Sequence, residues 1–186
     1  MTKYQALTIY ALLIIATGSV LSSLAYYPTR AIQYIVAIGI LSSAVFTFAT
    51  AFKMKNSQIP MNYHALHAIG MIIYGLAILF WANDIEVFFN ITIFFLLYYG
   101  MAEIIFCFQL FELKQQNINS QIILYRFLIG LSVTIGAIYI LASHNKYENS
   151  ALLVAGVVFA FSGLYLLKLK TVLTNADKMN SLSLNR

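Results

Sequence analysis

The sequence has few charges, few prolines and almost no cysteine, and each scarcity excludes a class of structure. Only 9% of the 186 residues are charged, whereas about a quarter is typical of soluble domains, so water is not the solvent of most of this chain. Cys107 is the single cysteine, which excludes a disulfide framework and a thiolate metal site. The two prolines, Pro28 and Pro60, lie in predicted loops, so no helix is expected to carry a proline kink.

Sequence motifs of the common reaction types are also missing. The chain has no glycine-rich phosphate loop, no nucleophile elbow, no zinc-protease helix and no pair of carboxylates at catalytic spacing. No basic run is long enough to indicate nucleic-acid binding. We therefore predict a protein that is not an enzyme, needs no cofactor or metal, and has no nucleic-acid partner.

The chain is rich instead in long apolar stretches. Apolar residues make up 61% of it, and the charged residues are spaced so that six successive stretches can each cross about 30 Å of hydrocarbon. None shows the alternation of a barrel strand, and in lipid only helices and closed barrels satisfy their own backbone groups. The sequence predicts an all-α membrane protein with six transmembrane helices, forming a single integral membrane domain over residues 1–186.

Small residues recur at a fixed phase along these stretches. Three glycines are each followed, 25 to 27 residues later, by a second small residue: Gly18 by Ala44, Gly75 by Gly100, and Gly136 by Gly163. This internal repeat predicts three tandem parallel helical hairpins, and it argues against a signal peptide at the N-terminus. Small residues let membrane helices approach closely, so we predict these six as helix-packing positions. The expected units are about 4–55, 61–114 and 120–170, with a cytoplasmic tail at 171–186.

Basic residues are distributed unequally between the two sides of the predicted bundle. Nine lie with the termini, in the 2/3 and 4/5 loops or at adjoining helix ends, against Arg30 and Lys146 on the other side. Lys and Arg are retained in the cytoplasm, so both termini are predicted there. The net charge of +5 then predicts attraction to anionic lipid at the cytoplasmic face.

The second hairpin resembles a known family. The run Leu79-Phe80-Trp81, a short turn, and then Tyr98 to Ile105, which contains Gly100 and Glu103, resemble the second hairpin of the HdeD-like acid-resistance membrane proteins. Ser43-Ala44-Val45 and Ser162-Gly163-Leu164 match the same position in the other two units. The chain departs from the family in its turn prolines, of which only Pro28 is kept, and in using Tyr and Phe where the family uses tryptophan. The resemblance implies a six-helix inner-membrane protein linked to acid stress, with no catalytic residues.

Glu103 is the acidic residue inside a predicted membrane helix. A charge at that depth costs about 2.5 to 3.5 kcal/mol on insertion scales, so the carboxylate must be paired, hydrated or protonated. Arg126 lies at a matching height on the far side of the 4/5 loop, and we predict an ion pair between the two. The alternative is that Arg126 extends its guanidinium to the headgroups while Glu103 is a protonated packing residue.

His64 and His67 are three residues apart at the start of the third helix, so they share one face. Imidazole titrates near pH 6.5, which suggests proton sensing by this pair. The simpler interpretation is that they solvate the helix start at the membrane interface. A metal site would need a third ligand, which Glu103 could supply only if helices three and four place it deep enough toward the cytoplasm.

Three functional hypotheses follow. The leading one is a non-enzymatic polytopic protein in envelope or acid-stress tolerance, embedded in the lipid bilayer. A second is a small transporter or channel subunit in which Glu103 lines a polar pathway, and this requires further polar side chains facing it, from the set Asn90, Thr92, Gln109 and Thr134. A third is an accessory subunit of a larger membrane complex. A homo-oligomer is compatible with each.

Overall fold

The protein is described by a computed structural model that covers residues 3–53, 61–112, 120–142 and 148–183. These residues form six α-helices and no strand: α1 (Lys3–Ser23), α2 (Arg30–Lys53), α3 (Met61–Trp81), α4 (Ile85–Glu112), α5 (Ser120–Ala142) and α6 (Glu148–Ser183). Within them, five helices have the length and hydropathy to cross a membrane, and α5 contributes a shorter apolar segment, Arg126–Ala142. The helix composition is that of an all-α, multi-pass membrane protein.

Two short turns lie at one end of the bundle and fix where α2 and α4 begin. Asp84 accepts a hydrogen bond on Oδ1 from the backbone N–H of Val87 at 2.8 Å, which caps α4. Thr29 accepts one from the N–H of Ile32 at 3.4 Å, at the start of α2. Arg30 joins the two turns, since its Nη2 donates to the backbone carbonyl of Asn83. The α1–α2 and α3–α4 connections are therefore held side by side.

The helices do not pack as three equivalent hairpins. The most extensive interfaces join α1 to α6, α2 to α3, and α4 to α5. α1 also packs closely on α2, but α3 and α4 share a smaller interface, and the described parts of α5 and α6 scarcely touch. The prediction of three hairpins is therefore not confirmed, because the last helix packs on the first instead of on its neighbour in the chain.

Small residues form the α1–α6 interface. A Cβ added to Gly18 would lie 2.6 Å from the carbonyl oxygen of Gly156. One added to Gly163 would lie 2.7 Å from the carbonyl oxygen of Ala11 and 2.5 Å from Cγ1 of Ile15. The two backbones thus approach at several levels, which only small residues permit.

Two more of the predicted packing positions make similar approaches. Gly75 of α3 lies against Leu41 of α2, whose Cγ would be 2.7 Å from an added Cβ. Gly100 of α4 lies against α5, where an added Cβ would be 2.9 Å from both the carbonyl oxygen of Gly130 and the backbone nitrogen of Thr134. Ala44 of α2 is fully buried.

Gly136 does not share this role, because a Cβ added there would meet no described atom within 4 Å. Gly163 approaches Ala11 and Ile15 of α1, which precede Gly18 by seven and three positions. Gly100 approaches Gly130 and Thr134 of α5, which precede Ala137 by the same seven and three positions. Ala137 is buried, at 1% exposure. The counterpart of Gly18 in α5 is therefore Ala137, one residue beyond the predicted position.

The C-terminal segment continues the last helix. α6 extends to Ser183, so most of the predicted tail at 171–186 is helical. Residues 184–186, and the ends of the first two predicted units at 54–55 and 113–114, lie outside the described residues.

Candidate functional site: a buried charge cluster of α3, α4 and α5

The structure brings Glu103 of α4 and Arg126 of α5 together in the interior. Their exposed fractions are only 2% and 3%. Arg126 Nη2 donates to Glu103 Oε1 at 3.3 Å, and Arg126 Nε lies 3.2 Å from Glu103 Oε2, without the alignment of a hydrogen bond. Gly130 makes room for the carboxylate, since a Cβ there would lie 2.9 Å from Cβ of Glu103. Close packing of α4 on α5 is therefore what places the pair.

Tyr63 of α3 is the third member of the cluster. Its hydroxyl donates to Glu103 Oε1 at 2.5 Å and accepts a hydrogen bond from Nη2 of Arg126. The Arg126 guanidinium also lies over two aromatic faces, 4.3 Å from the ring centre of Tyr63 and 5.0 Å from that of Phe106. Such contacts stabilise a desolvated cation. One arginine therefore links α3, α4 and α5.

His64 and His67 lie beside this cluster and are buried, at 1% and 3% exposure. They do not solvate the start of α3. Nε2 of His67 is 3.7 Å from Glu103 Oε1, and its ring meets the edges of Tyr63 and Tyr99 with centres 4.3 and 5.1 Å away. Neither Nε2 has a hydrogen-bond partner among the described residues.

The charges of the cluster balance as they stand. The charges of a Glu103 carboxylate and the Arg126 guanidinium cancel, and a proton on His67 would add an unmatched positive charge to a buried site. Burying an unmatched charge is costly. The geometry therefore accommodates neutral imidazoles beside a single ion pair.

α6 and the α4–α5 contact close the site. Arg126 Cζ lies 5.5 Å from the ring centre of Tyr165 in α6, and the thiol of Cys107 donates to the carbonyl of Ile123 at 3.5 Å. Among the described residues, no three His, Cys, Asp or Glu side chains are placed to hold one metal ion. The arrangement is suited to holding helices together.

The polar residues required for a transport pathway do not converge on Glu103. Thr92 shares a hydrogen bond of 2.9 Å with Tyr74, Thr134 donates to the carbonyl of Gly130, and Gln109 is exposed on the bundle surface. Asn90 is half-buried in the other half of α4.

Two contributors to the site were missed by the sequence analysis. Tyr63 is one of thirteen tyrosines, so its residue type does not distinguish it. Its position does, because it precedes His67 by four residues and therefore lies on the same helix face. Gly130 was missed because it falls outside the repeating phase, although it lies four residues after Arg126, on the same face of α5.

The chain was compared with protein-family models, with curated proteins and with solved structures, and nothing matched.

Proposed function

We propose that this chain is a non-enzymatic, polytopic protein of the bacterial inner membrane whose buried ion pair acts as a structural clamp. The single observation that supports the proposal is the contact between Arg126 and Glu103 at 3.2 Å in a site where both are nearly inaccessible. A balanced, enclosed pair joins helices, whereas a transport site needs contact with water. The lipid bilayer is the surrounding partner, with anionic lipid attracted to the cytoplasmic face.

The biological role that we propose is tolerance of acid or envelope stress. Its support is the resemblance of the second hairpin to HdeD-like proteins. The clamp makes the bundle sensitive to charge, because a proton on Glu103 would leave Arg126 buried without a counter-ion. The titratable groups that face it are Tyr10 of α1, Tyr63, His64 and His67 of α3, Tyr99 and Cys107 of α4, and Tyr165 of α6. His64 and His67, which lie beside the Glu103–Arg126 charge cluster, form the proton-sensing pair of this proposal.

The transporter alternative has less support. Thr92 and Thr134 form hydrogen bonds with groups other than Glu103, and Gln109 is exposed on the bundle surface. The aromatic rings of Tyr63 and Phe106 cover the Arg126 guanidinium. The accessory-subunit alternative has one supporting observation. The exposed face of α5 carries Leu128 and Ile135, and this apolar face is available to a partner subunit.

A deletion strain of the source bacterium tests the role. We expect survival after acid or envelope stress to fall in the deletion strain. The wild-type gene and the surface control Gln109→Leu should restore it. Glu103→Gln, produced at a matched membrane level, should restore less. Equal survival of the deletion strain and the parent under every stress would contradict the stress role.

A flux assay separates the clamp from the transporter. Purified protein is reconstituted in liposomes that contain a pH-sensitive dye, and a proton gradient is imposed. We expect liposomes that contain the wild-type protein to show the same proton flux as empty liposomes. A flux that depends on the wild-type protein and disappears in Glu103→Gln would replace the structural role with transport.

A further inference from the structure

An apolar groove separates α3 from α4 on the outside of the bundle. Its volume is about 340 Å³. The floor is formed by Tyr74 and Phe95, whose rings stack with centres 4.3 Å apart. The rim carries Ile73 and Phe94, which are 64% and 61% exposed. The groove therefore faces the surroundings of the bundle, which for a membrane protein are lipid.

The groove has one closed end and one end that points to the α3–α4 turn. Tyr98 closes it, since its hydroxyl donates to the carbonyl of Leu66 at 2.6 Å and its ring lies against Gly70. Ala77 and Ile91 line the other end. From Gly70 to Ala77 the helix rises about 10 Å, which sets the length of the groove.

The size of the groove fits a single hydrocarbon chain. The groove is about 10 Å long and holds about 340 Å³, which is room for about eleven groups the size of a water molecule at ~30 Å³ each. A partner helix is about 10–12 Å in diameter, so it would insert only a few side chains into this space.

Charged side chains lie above the open end. Arg30 donates to the carbonyl of Asn83 in the α3–α4 turn, which lies six residues beyond Ala77 and two residues beyond the end of α3 at Trp81. Arg30 is exposed, and a guanidinium has five N–H donors, so it retains capacity for a phosphate. Asp84, also exposed, follows Asn83 directly. A cation and an anion are thus adjacent at the α3–α4 turn, towards which the open end of the groove points.

We propose that this groove binds one acyl chain of a phospholipid and that Arg30 and Asp84 hold its zwitterionic headgroup. The phosphate pairs with Arg30, and the carboxylate of Asp84 favours a headgroup amine. The chain lies along Tyr74 and Phe95 and ends at Tyr98. This site is separate from the Glu103 cluster and does not depend on the proposed stress role.

Native mass spectrometry of the purified protein in a mild detergent tests the proposal. The protein is delipidated and then titrated with phosphatidylethanolamine or phosphatidylglycerol. We expect one tightly bound phosphatidylethanolamine per chain and weaker binding of phosphatidylglycerol. Ala77→Trp fills the groove and should lower the occupancy about tenfold or more. Ala16→Trp, on an exposed site of α1 outside the groove, is the matched control and should bind like wild type.

Two further variants complete the test. Arg30→Gln should remove the headgroup preference while some acyl binding persists. If Ala77→Trp fails to give a monodisperse, helical protein, Ile91→Trp fills the same end of the groove and replaces it. The proposal is overturned if the folded groove-filling variant retains lipid like the Ala16 control, if wild type binds no lipid above the level of that variant, or if a polypeptide occupies the groove instead.

Discussion

Removing one charge of the Glu103–Arg126 pair should destabilise the bundle far more than removing both. Glu103→Leu leaves a guanidinium at 3% exposure without a counter-ion, and Arg126→Met leaves the carboxylate beside the Tyr63 hydroxyl and the His67 ring without a permanent cation. Breaking a buried pair in this way costs about 3–5 kcal/mol. For a protein of this length, 1 kcal/mol shifts the melting temperature by about 2–4 °C, so each single variant should melt roughly 6–20 °C lower.

The double variant gives the decisive comparison. Replacing a buried ion pair by apolar residues of similar size is often neutral or stabilising. We therefore expect Glu103→Leu/Arg126→Met to be more stable than either single variant, with a coupling energy above about 2 kcal/mol, which contacting residues commonly reach.

Thermal unfolding in detergent, followed by circular dichroism, measures these differences, and reversible unfolding in mixed micelles converts them to free energies. Gln109→Leu, at an exposed polar residue of the same helix, is the control and should stay within about 0.5 kcal/mol of wild type. The reasoning would be refuted if the single variants melted like this control, or if the losses in the double variant were simply additive.

Three further predictions use the same assays or simple fusions. Tyr63→Phe removes the hydroxyl that donates to the buried carboxylate and should cost about 1.5–3 kcal/mol; Tyr27→Phe, at an exposed tyrosine, should cost nothing measurable, and equal melting of the two variants would contradict the role of the hydroxyl. Gly18→Ala should destabilise by about 1–3 kcal/mol because its new methyl group meets backbone atoms of α6, whereas Gly136→Ala faces open space and should be neutral or stabilise by up to about 1 kcal/mol; the reverse order of melting temperatures would disprove the assignment of these interfaces. Fusion of alkaline phosphatase to the C-terminus should be inactive and fusion of a fluorescent protein should be bright, and the opposite pattern would overturn the proposed orientation.

Much of the helix content could be predicted because it follows from local composition. The spacing of charges along an apolar chain locates each helix, and the turns before Arg30 and Ile85 fall where charged and turn-forming residues cluster. The partner of each helix could not be predicted in the same way. In a membrane the lipid-facing side of a helix is as apolar as the buried side, so the sequence of α5 or α6 does not indicate which neighbour it packs on.

The charge cluster could be predicted only in part. The depths of Glu103 and Arg126 follow from counting residues from a shared loop, and this is why their proximity could be proposed. The position of Tyr63 depends on how α3 is rotated against α4, which no charge pattern records. The position of Ala137 shows the same limit, because a shift of one residue rotates a helical site by about 100° and moves Gly136 out of the interface.

Solid-state NMR of the protein in lipid bilayers measures the central contact directly. With ¹⁵N-labelled arginine and ¹³C-labelled glutamate, the dipolar coupling between the guanidinium nitrogens of Arg126 and the carboxyl carbon of Glu103 reports their separation. A strong coupling that disappears in Arg126→Met, with little exchange of the guanidinium protons with water, is the predicted result. Absence of this coupling, together with rapid exchange of those protons, would contradict a sealed clamp.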